Sequence, residues 1–397
     1  MKNSASTSRS VSRASLASLA MTMLALLTAS PPALAQSSTL TIMDVGGALN
    51  LLQSAIVSYA TVDPGVKFVF KKSTAVELPN VLRTGQIAGR ADIDLVLGGT
   101  DILAAGIDSG LWEKVLPEHD NYFPGLMERY LPEARLMQAL ASNQGIAVAF
   151  ALGGPFLEYN PDKVRDVPKT PDELLTWCRA HPGRFTYARP ANSGPGRTFL
   201  MGLPYLLGDS DPKDPATGWP RTWAFLKALD GCIDAYPSTT GALMKELGNG
   251  RRDITVSTTG WDINPRALGT VPKEYKVAAF DKMTWVNDSQ YMMIPKGLSR
   301  QRLTLVLSLM SHLLKRQQQA FTYDTGYFYP GPVIKNVPYS LAPQASQDVL
   351  KNFGRVEFIL WGLQRPHTQP LSAAGMKTAF RIWDDQVDTS KRRMEHP

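Results

Sequence analysis

Residues that build metal and redox sites are scarce in this sequence. Of its 397 residues only two are Cys and five are His, and the His residues are widely scattered. No HExxH or CxxC motif and no tight His/Asp cluster occurs, so a metal enzyme has little support. The GxSxG motif of the α/β-hydrolases is missing as well. We therefore expect neither a metal nor a cofactor.

Long apolar runs and dense basic runs are also missing. Beyond the N-terminal segment, no stretch approaches the roughly 18 consecutive apolar residues of a transmembrane helix. The formal net charge is +7 at pH 7, and three of the positive charges (Lys2, Arg9 and Arg13) lie at the N-terminus. The remaining charge is too mild, and too thinly spread, to predict a nucleic-acid partner.

The N-terminal segment has the three parts of a signal peptide. Its positive residues precede an apolar, Ala-rich stretch at 16–27, and Ala33-Leu34-Ala35 has the small-x-small pattern of a cleavage site. We expect cleavage after Ala35, which leaves an exported, periplasmic chain that begins at Gln36. An exported chain meets an oxidising compartment, so Cys178 and Cys232 are candidates for a disulfide; the alternative is two buried free thiols.

Strand and helix patterns alternate in the first part of the exported chain. Strands are predicted at 39–43, 66–70 and 92–97, and residues at helical spacing lie between them at 48–60 and 76–87. This order predicts an α/β fold with a mainly parallel sheet and helices on both faces. The chain is longer than one core usually serves, so two lobes are expected. Nearer the C-terminus, helices are predicted at 300–323, 346–354 and 372–387.

Two turns follow strands that should end at the same edge of this sheet. They are Asp44-Val45-Gly46-Gly47 and Gly98-Gly99-Thr100-Asp101, and their glycines permit close approach of a ligand to the backbone. The alternative is a pair of ordinary strand-to-helix turns. The ligand-binding candidates here are Asp44, Gly46, Gly47, Gly99, Thr100 and Asp101.

A third polar segment, Ser257-Thr258-Thr259-Gly260-Trp261-Asp262, follows the predicted strand at 253–256. It offers hydroxyl donors, an aromatic face and a carboxylate at a strand end, where ligands of α/β proteins bind. We predict that it forms one wall of a ligand cleft; the alternative is a turn whose Trp packs in the core. The candidates are Thr258, Thr259, Trp261 and Asp262.

Two further segments complete the predicted cleft. Ser193, Gly194 and Arg197 precede or begin a helix, where backbone amides and a guanidinium suit an anionic group; the alternative is a polar loop with a capping Ser. Trp285, Asn287 and Asp288 begin a predicted strand that runs to Pro295.

The exported chain as a whole resembles the extracellular solute-binding proteins of ABC importers, in the branch with polyamine, thiamine and ferric-iron binders. The resemblance rests on the export signal, on the order of the lobes and on three segments, which are Gly145–Asn160, Gly250–Trp261 and Trp285–Gly297. It implies a periplasmic-binding-protein type II-like fold, in which two α/β lobes are joined by a two-strand hinge. Lobe 1 is expected at 36–150 and 290–397, and lobe 2 at 151–289.

The resemblance also implies a function. The lobes are expected to close on a small polar ligand, and the closed protein, a monomer, is expected to dock on a membrane permease. The pairs Trp261-Asp262 and Trp285 with Asp288 match a polyamine-like amine, whereas the Ser193–Arg197 segment matches an organic anion or a zwitterion. We expect no enzymatic activity; an exported enzyme with Asp262 and Asp288 as an acid–base pair is the weaker alternative.

Overall fold

The computed structural model describes Met1 and residues 38–388. Apart from Met1, the predicted signal peptide lies outside these residues. The strands are β1 (Ser38–Val45), β2 (Val66–Ser73), β3 (Leu95–Gly98), β4 (Ile146–Gly154), β5 (Phe156–Tyr159), β6 (Phe185–Thr186), β7 (Ile254–Ser257), β8 (Lys276–Ala278), β9 (Trp285–Met293), β10 (Pro330–Gly331) and β11 (His367–Thr368).

The helices surround two sheets. They are α1 (Leu49–Val57), α2 (Leu78–Ile87), α3 (Thr100–Asp108), α4 (Leu126–Arg129), α5 (Pro132–Leu140), α6 (Pro171–Ala180), α7 (Gly194–Leu207), α8 (Pro220–Asp230), α9 (Thr240–Gly248), α10 (Asn264–Ala267), α11 (Arg300–Leu313), α12 (Arg316–Gln319), α13 (Gln344–Phe353), α14 (Val356–Leu363) and α15 (Ala373–Gln386). Within residues 38–388, no helix combines the length and the apolar character needed to cross a bilayer.

The larger sheet forms the first lobe and has the strand order β10-β4-β9-β3-β1-β2, with β11 paired to β9. Strands β2, β1 and β3 run parallel, as the alternating pattern predicted, and Val45 pairs with Gly98. The predicted turns after β1 and β3 therefore do lie at one edge of the sheet. The two long strands β4 and β9 are antiparallel neighbours, and every residue of both is buried.

The smaller sheet forms the second lobe, with the order β6-β7-β5-β8. The chain leaves the first lobe where β4 ends, turns at Pro155, and enters the second lobe as β5; it returns between β8 and β9. The apolar run at 146–160 is thus divided between two sheets, because proline has no N–H to donate to a continuous ladder. The exact lobe boundaries at 150/151 and 289/290 stay predictions.

Local sequence signals account for several helix starts. Thr170 caps α6 by accepting a hydrogen bond from the Glu173 N–H (3.2 Å), and Glu173 in turn accepts from the Lys169 N–H (2.8 Å).

In the structure, Cys178 of α6 and Cys232, just after α8, form a disulfide with a Cα–Cα distance of 5.8 Å. It connects α6 to the turn that follows α8 in the second lobe.

The C-terminal part is more broken than the Leu spacing predicted. The helix expected at 300–323 ends at Leu313 and is followed by the short α12 and a 3₁₀ turn. The break allows the buried Gln319 amide to donate to the carbonyls of Val148 (3.0 Å) and Leu313 (2.9 Å). Because Val148 is distant in sequence, tertiary packing decides where the helix is interrupted. Beyond it lie three helices (α13 to α15), not two; α14 is the addition.

Candidate functional site

A cavity of about 230 Å³ lies between the lobes, at the strand ends that the sequence singled out. The first lobe and strand β9 contribute Gly46, Gly99, Asp101, Asp288, Gln290, Tyr327 and Phe328, and the second lobe contributes Asn192, Gly194, Arg197, Thr239, Thr240, Gly241 and Trp261. The volume is below the common range of roughly 300–1,000 Å³ for ligand pockets, so the cavity suits a small molecule.

Arg197 is the electrostatic centre of the cavity. It lies in the first turn of α7, which begins there because the Ser193 hydroxyl accepts a hydrogen bond from the Gly196 N–H (3.1 Å). Its Nη2 donates to Oδ2 of Asp288 (3.1 Å), and its Nη1 lies 3.5 Å from Oδ2 of Asp101. A cation of the second lobe thus contacts carboxylates on the first-lobe sheet and on the first turn of α3.

Asp288 is held by several donors at once. Its Oδ1 accepts hydrogen bonds from the Thr100 hydroxyl (3.2 Å) and the Ser289 N–H (2.9 Å), in addition to the contact with Arg197. Burial raises the pKa of Asp288; Arg197 lowers it, and the nearby Asp101 raises it. Burial by itself lowers the pKa of Arg197, but Asp288 and Asp101 outweigh it and the net pKa is raised. The guanidinium therefore stays charged.

Asp101 is the more available carboxylate. Its side chain retains 18% of its exposure, compared with 9% for Asp288. Its Oδ1 accepts from the adjacent Ile102 N–H (2.9 Å), and its other contact is the longer one to Arg197. Because two carboxylates share one guanidinium, this end of the cavity has a net negative charge.

Aromatic rings form the opposite wall. Trp261 meets Tyr327 edge to face with ring centroids 5.1 Å apart, and the Tyr327 hydroxyl donates to the Gly46 carbonyl (2.6 Å). A side chain at Gly260 would overlap the Tyr327 backbone, and its φ is +105°. Glycine is therefore required where the two lobes come closest in this region. Trp261 is half-buried and available to a ligand.

Trp285 lies outside the cavity lining, contrary to our prediction for the cleft. It is 0% exposed and packs edge to face against Phe156 (5.9 Å), Phe358 (5.8 Å) and Trp361 (6.4 Å). It is the first residue of β9, and the alternation along that strand directs its side chain into the hydrophobic core beneath α14. The core alternative that we gave for Trp261 thus describes Trp285 instead.

Asp262 is also placed away from the cavity. Its Oδ2 accepts from Nε of Arg355 (2.9 Å) and lies 3.7 Å from Nη2 of Arg266. These two cations neutralise it, so it is not available as a partner of Asp288 in an acid–base pair. Each of the two predicted Trp/Asp pairs therefore contributes one residue to the cavity lining. Trp261 comes from the first pair and Asp288 from the second.

Four other candidates, Asp44, Asn287, Thr258 and Thr259, do not line the cavity. Asp44 accepts from the Leu49 N–H (3.3 Å) at the start of α1, and burial raises its pKa. Asn287 donates to the Leu152 carbonyl (3.1 Å), and Thr259 donates to the Tyr329 carbonyl (2.9 Å). Thr258 is buried beside Gly154, the last residue of β4.

Three remaining candidates lie just behind the cavity surface. Gly47 faces the Tyr327 hydroxyl, Thr100 supports Asp288, and Ser193 caps α7. These three residues therefore support residues that line the cavity, namely Tyr327, Asp288 and, through the start of α7, Arg197.

Sequence reasoning missed several lining residues as members of the site. They are Thr239, Thr240, Gly241, Asn192, Tyr327 and Phe328, whereas Gln290 was considered beside Asn287 and Asp288 for the position of the carboxylate on the return strand β9. Thr239 has the capping pattern of a helix start, and its hydroxyl accepts from the Ala242 N–H (3.2 Å). That signal predicts a helix, but not which lobe edge its first turn faces. Gln290 is two residues beyond Asp288 on β9, and the alternation of a strand places both on one face.

Comparison with known proteins gives a consistent result. The model of the bacterial extracellular solute-binding proteins matches residues 55–351, which is about three quarters of the chain. No curated protein sequence matches significantly. Among solved structures, maltose-bound MalE3 of T. maritima has a TM-score of 0.63 at 15% identity, covering 89% of this chain and 95% of MalE3.

The names of two other similar structures refer to chemically different molecules. The spermidine/putrescine ABC transporter substrate-binding protein PotD of Streptococcus pneumoniae has a TM-score of 0.58 at 14% identity, covering 87% of this chain and 99% of PotD. AgtB of A. tumefaciens R10, in complex with agropinic acid, has a TM-score of 0.55 at 16% identity, covering 89% and 98%. At these identities the likeness concerns the fold, and it leaves the ligand to be argued from the cavity.

Proposed function

The chain belongs to the bacterial extracellular solute-binding proteins, and from this premise we propose that it captures a small polar ligand in the cavity between its lobes and delivers it to the permease of an ABC importer. The proteins of this family are transport components that act outside the cytoplasm. We propose the periplasm as the compartment, since the N-terminal sequence has the pattern of a signal peptide.

The observation that carries this proposal is the charged cluster across the cavity. Arg197 of the second lobe lies 3.1 Å from Asp288 and 3.5 Å from Asp101. Such contacts between lobes exist only when the lobes are close together, and they bring ligand-binding groups from both lobes to one place. A ligand that contacts both lobes would shift the population towards this closed form.

The cavity supports an amine as one group of the ligand. Two carboxylates, Asp101 and Asp288, outnumber the single guanidinium, and Asp101 keeps part of its surface free. Trp261 adds an aromatic face, on which a cation gains about 0.5–2 kcal/mol. A polyamine-like ligand fits these features. The guanidinium of Arg197, which also lines the cavity, supports the second candidate ligand, an organic anion or a zwitterion.

Calorimetry on the exported chain, residues 36–397, tests the proposal after bound ligand has been removed by unfolding and refolding. We expect micromolar or tighter binding of an amine such as putrescine or spermidine, with weaker binding in Trp261→Ala. Trp177→Ala is the matched control, since Trp177 is also half-buried but stacks on His181 in the second lobe, outside the cavity lining. Equal losses of affinity in both variants would contradict the cavity as the site.

Docking on the permease is tested separately. The ligand-loaded protein should stimulate the ATPase of the transporter that is encoded with it, reconstituted in vesicles. No stimulation by the loaded protein would contradict the importer role and leave the binding site unaffected.

A further inference from the structure

We propose that the C-terminal end of α15 is a latch between the two lobes, and that it holds part of the protein in the closed form before any ligand arrives. The latch consists of Trp383, Asp384 and Asp388, which contact the second lobe although α15 lies along the first. None of these three residues lines the cavity, so the latch acts on closure without contacting the ligand.

The first half of α15 is fixed to the first lobe. The helix packs against α3, which follows β3 of the larger sheet. Nζ of Lys377 donates to Oδ2 of Asp108, the last residue of α3 (2.7 Å). Met376 and Ala379 in the same half are buried. This part of α15 therefore belongs to the first lobe.

The end of α15 is buried in the second lobe. Trp383 is 1% exposed, and its Nε1 donates to the Tyr187 hydroxyl (2.8 Å). Its ring meets those of Tyr187 (6.1 Å between centroids) and Tyr236 (5.0 Å) edge to face. Tyr187 directly follows β6 of the smaller sheet. A tryptophan from a helix of the first lobe thus fills an aromatic pocket of the second.

Arg189 of the second lobe adds ionic contacts to the same place. Its guanidinium lies over the Trp383 ring, 5.2 Å from the centroid. Its Nη2 lies 2.8 Å from Oδ1 of Asp384, and its Nη1 contacts Oδ2 of Asp388. The Arg189 side chain is 22% exposed and that of Asp388 only 2%, so water screens these pairs less than it screens pairs on the surface.

Separation of the lobes would break this set of contacts. The Trp383 ring would enter water, and the ion pairs with Arg189 would be lost. Because none of these groups comes from a ligand, they stabilise the closed form in its absence, and a ligand then shifts the population further. Arg189 also lies only three residues before Asn192, which lines the cavity. The latch therefore holds the second-lobe wall next to the cavity.

Two spin labels measure the closed population in the refolded exported chain without ligand. Gln53 and Leu268 are exposed and line a groove between α1 of the first lobe and α10 of the second. Cysteines at these two positions can be labelled selectively, because the two native cysteines are joined in the disulfide. Electron paramagnetic resonance should then give two distances, of which the shorter belongs to the closed form. Small-angle X-ray scattering of the unlabelled protein gives the populations independently.

The variant Arg189→Gln tests the latch. We expect the ratio of closed to open molecules to fall about tenfold, because the closed form loses charged hydrogen bonds whereas Asp388 regains water in the open form. Trp383→Phe keeps an aromatic ring but loses the N–H that Tyr187 accepts, and the ratio should fall by a smaller factor. Lys377→Gln is the control and should leave the ratio unchanged, since its partner Asp108 lies in the same lobe.

Two results would overturn the latch. One is a wild-type protein that shows only the open distance without ligand. The other is a closed population that stays the same in Trp383→Phe and in Arg189→Gln; if the charge change prevents folding, Trp383→Phe decides by itself. Either result leaves the proposed solute binding unaffected, because the latch residues lie outside the cavity lining.

Discussion

Glu158 offers a test of how the second lobe balances buried charge. This residue lies in β5, is 0% exposed, and within residues 38–388 neither of its carboxyl oxygens has a hydrogen-bond partner. Burial raises its pKa to about 8, and the negative charge of Asp262 adds to this effect. The facing Ser257 hydroxyl and the guanidinium groups of Arg266 and Arg355 act in the opposite direction. At neutral pH the carboxyl is therefore mostly protonated in the folded protein.

The sign of the effect on stability follows from the direction of this shift. A carboxyl whose pKa is higher in the folded state binds its proton more tightly there, so folding becomes less favourable as pH rises from the unfolded pKa of about 4.5 to the folded pKa of about 8. Each pH unit in this window removes about 1.4 kcal/mol. The loss is about 3 kcal/mol between pH 4.5 and 7, and it stops growing above pH 8 or so.

The variant Glu158→Gln removes this titration and keeps the shape of the side chain. We expect the difference in unfolding free energy between the variant and the wild type to move by about 3 kcal/mol in favour of the variant from pH 4.5 to pH 7. Urea unfolding followed by Trp fluorescence at several pH values measures it, and other titrating groups cancel in the difference. The exposed Glu274→Gln, in the same lobe, is the control. Parallel pH profiles for wild type and Glu158→Gln would refute the reasoning.

Three further predictions concern packing and the disulfide. Gly260→Ala should lower the free energy of unfolding by about 1–3 kcal/mol, because the facing backbone and the positive φ exclude a side chain, whereas Gly269→Ala, with a positive φ in open space, should lose less. Trp285→Ala should lose about 3–5 kcal/mol of stability with an unchanged ligand Kd in the folded protein. Removing the Cys178–Cys232 disulfide, which closes a loop with a sequence separation of 54, should lose about 4 kcal/mol. Urea unfolding measures all three, and ligand calorimetry on Trp285→Ala would expose a direct binding role.

Short-range patterns determined much of the fold. The alternation of strands and helices in residues 39–97 predicted the parallel strands β1, β2 and β3, and with them the common edge where Gly46 and Asp101 meet. Thr170 marked a helix start correctly, because capping needs only residues three apart in sequence. These features depend on local backbone geometry and on periodicity, both of which are present in the sequence itself.

Membership of the site was decided by tertiary structure. Trp261 and Trp285 follow similar local patterns, yet one lines the cavity and the other packs beneath α14. Asp262 and Asp288 are likewise two carboxylates that lie one and three residues after a tryptophan, but Arg355, distant in sequence, contacts the first of them. Neither Gln290 nor the capping residue Thr239 at the start of α9 carries a sequence signal that places it at the cavity. Residue type sets what a side chain can bind, but which groups share a cavity depends on how two lobes, each built from distant segments, come together.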